Sequence, residues 1–118
     1  MNCQELATAA DYNFPVKVLI FNNQTLGMVA QWQRMFYGGR YSHTGLKGHT
    51  DFVKLAEAMG VTGLRVTKPE ELGIVLEKAL ATPGPVVVDI CIPETVDLLP
   101  MVPAGARLDQ MILGGTKG

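Results

Sequence analysis

At 118 residues, 47% hydrophobic and 18% charged, the chain is sized for one domain with a real core and is too apolar to be disordered. Its formal net charge of -1, with Lys and Arg scattered singly, offers no field for a nucleic-acid backbone. No apolar run approaches bilayer-spanning length, and residues 1–5 lack the charged start and apolar stretch of a signal peptide.

Residues 4–12 are alanine-rich and predict the end of a helix, stopped by Asn13 and Pro15. Residues 16–21 form a short apolar, partly β-branched run, a buried strand ended by Asn22 and Asn23. Met28, Val29, Trp32, Met35 and Phe36 then recur at helical spacing, predicting a helix over residues 26–37 that Gly38 and Gly39 break. Such a stripe is more often core than pocket. Residues 40–49 have no period and read as a loop, with His43 and His49 solvated. Phe52, Leu55, Ala56 and Met59 mark the next helix, with Thr50 or Asp51 as its cap and Gly60 at its end. Residues 63–66 are a strand, and Thr67 with Glu70 is a candidate capping box. Leu72, Val75, Leu76, Ala79 and Leu80 give one apolar helical stripe. Residues 86–92 are another strand, and beyond Pro93 only residues 108–113 suggest a short helix.

This alternation predicts an α/β fold, a parallel sheet with flanking helices, whose apolar strands are buried on both faces. Three such strands need more cover than the chain supplies. Cys3 and Cys91 form no CxxC pair, so two reduced thiols and a cytoplasmic location are expected.

The segment that can carry chemistry is Asn22-Asn23-Gln24-Thr25-Leu26-Gly27-Met28, between a strand and a helix. Ligands gather at the carboxyl ends of parallel strands, where helix starts present free amides and partial positive charge to anions. Asn23 offers an amide oxygen of the kind Mg²⁺ accepts, and Gly27 allows close backbone approach. An Asn-Asn pair after a strand is also an ordinary turn, since asparagine tolerates left-handed geometry. On the residues alone both readings stand. Glu70-Glu71 reads as helix-start electrostatics, not an acid/base pair.

Asn2-Cys3-Gln4-Glu5-Leu6-Ala7-Thr8-Ala9, Pro15-Val16-Lys17-Val18, Asn22-Asn23, Leu26-Gly27-Met28-Val29 and Gln31-Trp32-Gln33 resemble acetolactate synthase catalytic subunits. So do Phe36-Tyr37, Arg40-Tyr41-Ser42, the run from Asp51 to Ala58, and Leu99-Pro100-Met101-Val102-Pro103. The resemblance implies the C-terminal half of a thiamine-diphosphate-binding domain over residues 1–97, with a tail over 98–118. It implies an enzyme that decarboxylates pyruvate and joins the two-carbon unit to pyruvate or 2-ketobutyrate. Mg²⁺ would be held by the Asn23 side chain and the Thr25 carbonyl. Asn23, Gln24, Thr25, Leu26, Gly27 and Met28 would line the cofactor, and Trp32 the substrate pocket. Residues 40–49 would be a mobile loop and residues 99–106 a tail folding over the site.

The family's Gly-Asp-Gly metal motif would precede Met1, and its activating glutamate and FAD-binding domain match nothing here. The chain is therefore expected to be inactive alone. Its implied partners are the rest of the catalytic subunit, in a homodimer or higher assembly, and a regulatory small subunit docking elsewhere. A different thiamine-diphosphate carboligase or decarboxylase, and a stand-alone α/β binding domain without catalysis, are the alternatives.

Overall fold

The computed structural model describes residues 2–46, 48 and 50–114. Its elements are α1 (Glu5–Asp11), β1 (Lys17–Asn22), α2 (Gly27–Phe36), α3 (Phe52–Ala58), β2 (Thr62–Val66), α4 (Leu72–Ala81) and β3 (Val86–Cys91). Short 3-10 turns lie at Pro69–Glu71 and Leu108–Gln110, the second where a short helix was expected. The strands form one parallel sheet in the order β1-β3-β2, so the last strand in sequence is the central one.

Its composition suits that position. Val86, Val87 and Val88 carry apolar side chains to both faces and are buried. Toward one face Val86, Val88 and Ile90 pack with Val66 and with Leu72, Val75 and Ala79 of α4. Toward the other, Val87 meets Ala56, Val61, Val18 and Ile20, with Leu6 and Ala10 of α1. Asp51 caps α3 by accepting from the Val53 and Lys54 amides, and Gly60 (φ +75°) ends that turn in the left-handed conformation.

Burial on both faces holds for β3 and fails for β1. Leu19 and Phe21 are 43% and 67% exposed, because α4 packs over β2 and β3 and does not reach the β1 edge. Two local expectations are also corrected. Thr67 pairs with Glu71, not Glu70: its amide and hydroxyl approach the Glu71 carboxylate at 3.3 and 3.4 Å. The 3-10 turn starting at Pro69 displaces the glutamates relative to an α-helical box. Leu80 does not join the apolar stripe of α4 but faces outward with Ile74.

α2 does not pack on the sheet as α3 and α4 do. The face that periodicity assigned to a core is half-exposed at Met28, Val29, Trp32 and Phe36, while Ala30 and Gln31 are buried. The radius of gyration, 18.0 Å, exceeds the roughly 13–14 Å of a compact chain this long, so the molecule is elongated.

Candidate functional site

β1 ends at Asn22, at the carboxyl end of the sheet, and α2 begins at Gly27. The four residues between them are tightly specified. The Asn22 side-chain oxygen accepts from the Gln24 amide at 3.0 Å, and the Asn23 oxygen accepts from the Thr25 amide at 3.2 Å. Two successive asparagine turns thus bend the chain, with Gln24 at φ +54°. The expected turn chemistry is present. It does not consume Asn23, whose amide oxygen has a second lone pair.

The turn is fixed from outside by the 40–46 loop. The Leu26 amide donates to the Thr44 carbonyl and the Leu46 amide to the Gln24 carbonyl, both at 2.8 Å, around an antiparallel Thr25–Gly45 pair. The buried Thr25 hydroxyl donates to the Thr44 carbonyl at 2.9 Å. Those pairing bonds use the Gln24 carbonyl and the Leu26 amide, not the Thr25 carbonyl. A Cβ on Gly27 would lie 2.8 Å from the Asn23 side-chain nitrogen, so the absent side chain lets Asn23 lie against the helix start.

α2 carries two glutamines that act as clamps on either side of Trp32. The Gln33 oxygen accepts from the Ser42 amide and Thr44 hydroxyl, each at 3.2 Å, while its nitrogen donates to the Ser42 carbonyl at 3.1 Å. Gln31, 1% exposed, pairs with the backbone of Leu98: the Leu98 amide donates to it at 2.9 Å and it donates to the Leu98 carbonyl at 3.1 Å. Its nitrogen also approaches the Met101 sulfur at 3.3 Å. Arg34 ion-pairs with Asp97. Loop and tail are thus both fastened to α2. Trp32 stands between them, edge-on to Phe36, in a cavity of about 250 Å³ completed by Tyr37, Met101, Pro103 and Ala104. Met28 is half-exposed near the start of the same helix. His43 is exposed, its ring nitrogen 2.7 Å from the Ser42 hydroxyl, as a solvated residue should be. His49 lies outside the described residues.

The residues that sequence reasoning missed lie beneath the turn. Asp89 of β3, 2% exposed, accepts from the Asn22 side chain at 2.9 Å with one oxygen and from Arg65 Nε at 3.0 Å with the other. Arg65 continues to Asp51 at 2.6 Å. Asp89 and then Asp51 raise the guanidinium pKa and hold its charge firmly. Burial, then the Asp89 charge, pushes the Cys91 thiol up. Among the described residues no three His, Cys, Asp or Glu side chains gather as a metal site.

A parallel α/β sheet with an asparagine turn at its carboxyl end and a glycine at the following helix start is the arrangement in which α/β domains gather anionic ligands. Residues 1–90 match the family model of the thiamine pyrophosphate enzyme C-terminal TPP-binding domain, and the chain belongs to that family. It is similar to the mitochondrial acetolactate synthase catalytic subunit of Saccharomyces cerevisiae, 49% identical across 95% of this chain and 16% of that protein. The acetolactate synthase large subunit of Cyanidium caldarium is 44% identical across 99% of this chain and 20% of that protein. Among solved structures, the thiamine diphosphate-dependent 4-hydroxybenzoylformate decarboxylase of Rhodococcus jostii superposes with a TM-score of 0.65 at 33% identity. That match covers 78% of this chain and 17% of the decarboxylase. The chain thus spans at most a fifth of these relatives.

Proposed function

We propose that this domain supplies the diphosphate and Mg²⁺ cradle of an acetolactate synthase, which condenses pyruvate with a second 2-ketoacid. The observation that carries the reading is the Asn23–Gly27 turn. Its donors suit the metal: the Asn23 amide oxygen and Thr25 carbonyl are hard, neutral ligands of the type Mg²⁺ takes. Two oxygens leave most of an octahedron to the diphosphate, to water and to residues beyond those described. The α2 N-terminus contributes free amides and partial positive charge toward the diphosphate, with Gln24, Leu26, Gly27 and Met28 lining it. When bound, the cofactor supplies an electron sink for the carbon freed by decarboxylation.

In this reading the protein side does the positioning. Trp32 presents an apolar wall to the incoming ketoacid, and the 99–106 tail and 40–46 loop, clamped by Gln31 and Gln33, shield the site from water. Residues 1–97 then serve as the cofactor half and residues 98–118 as the C-terminal tail. FAD, the rest of the catalytic subunit, a second copy and a regulatory small subunit are proposed of the assembly to which the domain contributes. The two free thiols favour a reducing, cytoplasmic compartment.

A second reading, another thiamine-diphosphate carboligase or decarboxylase, draws on the likeness to the Rhodococcus jostii decarboxylase. Product analysis separates the two. A subunit carrying this segment, given pyruvate, Mg²⁺ and thiamine diphosphate, should form acetolactate. Release of the simple aldehyde as sole product would favour the second reading.

A further inference from the structure

A carboxylate in the middle of the central strand is out of keeping with its neighbours. Asp89 follows Val86, Val87 and Val88 and precedes Ile90, shares the α1/α3 face with Val87, and is 2% exposed. A buried charge is retained only where it is paired and hydrogen-bonded. Here Arg65 of β2 takes one oxygen and Asn22 of β1 takes the other, so Asp89 ties together the carboxyl ends of all three strands. Both ends of the Asn22 amide are engaged: its nitrogen donates to Asp89 and its oxygen accepts from the Gln24 backbone. Gln24 has φ +54°, a conformation that persists in a non-glycine residue only when its surroundings over-determine it.

We propose that Asp89 is a positioning residue for the cofactor turn, acting through Asn22; the inference rests on the reading of Asn23 and Thr25 as Mg²⁺ ligands. The two adjacent asparagines divide the work. Asn23 faces the ligand, and Asn22 relays the fixed position of the central strand to the backbone between them. Arg65, anchored in turn to Asp51 at the N-terminus of α3, keeps the Asp89 carboxylate oriented.

The test is a Mg²⁺ titration at fixed thiamine diphosphate, with amide hydrogen exchange at Gln24, in a subunit carrying this segment. Asp89→Ala and Asn22→Ala should each raise the Mg²⁺ half-saturation by up to about tenfold, the low end of what losing a direct partner of a metal ligand costs, because both act through the turn backbone. Both should speed exchange at Gln24. Val87→Ala loosens the same strand without touching the turn, and should lower the melting temperature while leaving Mg²⁺ half-saturation in place. If Asp89→Ala does not fold, Asn22→Ala at the half-buried strand end decides. A Val87→Ala shift as large as that of Asn22→Ala would make the role merely structural and overturn the proposal. Unmoved Mg²⁺ half-saturation in Asn23→Ala overturns the metal reading itself. Movement there but none in Asn22→Ala overturns the positioning role alone.

Discussion

Gln31→Leu should release the tail from α2 without unfolding the sheet. Leucine nearly matches glutamine in volume, so the main loss is the pair of hydrogen bonds to the Leu98 backbone. Each such bond contributes about 1 kcal/mol net, or about 1–3 kcal/mol if the freed group stays buried and unpaired. Leu98 is 61% exposed, so water can reach the segment and the low end applies. The sum, about 2 kcal/mol, is roughly a 30-fold fall in the ratio of docked to undocked tail. Arg34–Asp97 remains, which limits the opening on that side of Gln31. Hydrogen exchange at the Leu98 amide reads the change directly and should accelerate by about that factor, with β3 amides unaffected. Unchanged exchange at Leu98 would refute the clamp. Equal acceleration in β3 would mean that Gln31 supports the whole domain instead.

Gly27→Ala should weaken Mg²⁺ and thiamine diphosphate binding without lowering the melting temperature: the new Cβ displaces the Asn23 amide tip, 2.8 Å away, whereas alanine favours the helix by about 1 kcal/mol. A melting-temperature drop with normal affinity would contradict it. Trp32→Leu should change the competition between pyruvate and 2-ketobutyrate more than cofactor affinity, because Trp32 lines the cavity beside α2 and not the turn; unchanged product ratios with a large stability loss would return it to a packing role. Acid stability should depend on Asp51, whose carboxyl is held below its ordinary 3.8 by the Lys54 amide first and then by Arg65. A lowered folded pKa gives stability that is complete above pH 3.8 and is lost as pH falls through the lowered value. Asp51→Asn, which keeps the cap but not the charge, should therefore show a flatter acid-unfolding profile and converge with the parent at the lowest pH.

The element order and the parallel sheet were legible because each strand and helix carries its own signal, a β-branched run or a 3.6-residue period. The central place of β3 was not legible, since Val18-Leu19-Ile20-Phe21 of β1 is as apolar toward both faces as Val86-Val87-Val88. Periodicity located α2 but not what covers it. Its apolar face meets the tail and loop, and the residues that fasten them are glutamines, which no hydrophobic pattern reports. The asparagine turn was readable from its own residues, and its cofactor role from the resemblance. Asp89 was visible as a lone charge in an apolar run, but its partners Asn22 and Arg65 are 67 and 24 positions away in sequence. Only the sheet order brings them together. Glu71 took the place assigned to Glu70 because Pro69 opens a 3-10 turn, a change of helix type that residue spacing alone does not encode.

The central claim is that the Asn23–Gly27 turn holds the metal–diphosphate pair. A crystal structure of a subunit carrying this segment, grown with Mg²⁺ and thiamine diphosphate, tests it most directly. The account predicts the metal at about 2.0–2.1 Å from both the Asn23 side-chain oxygen and the Thr25 carbonyl, with the diphosphate facing the α2 N-terminus. A metal bound elsewhere, with the Asn23 oxygen accepting only the Thr25 amide, would contradict it and leave this segment a simple turn.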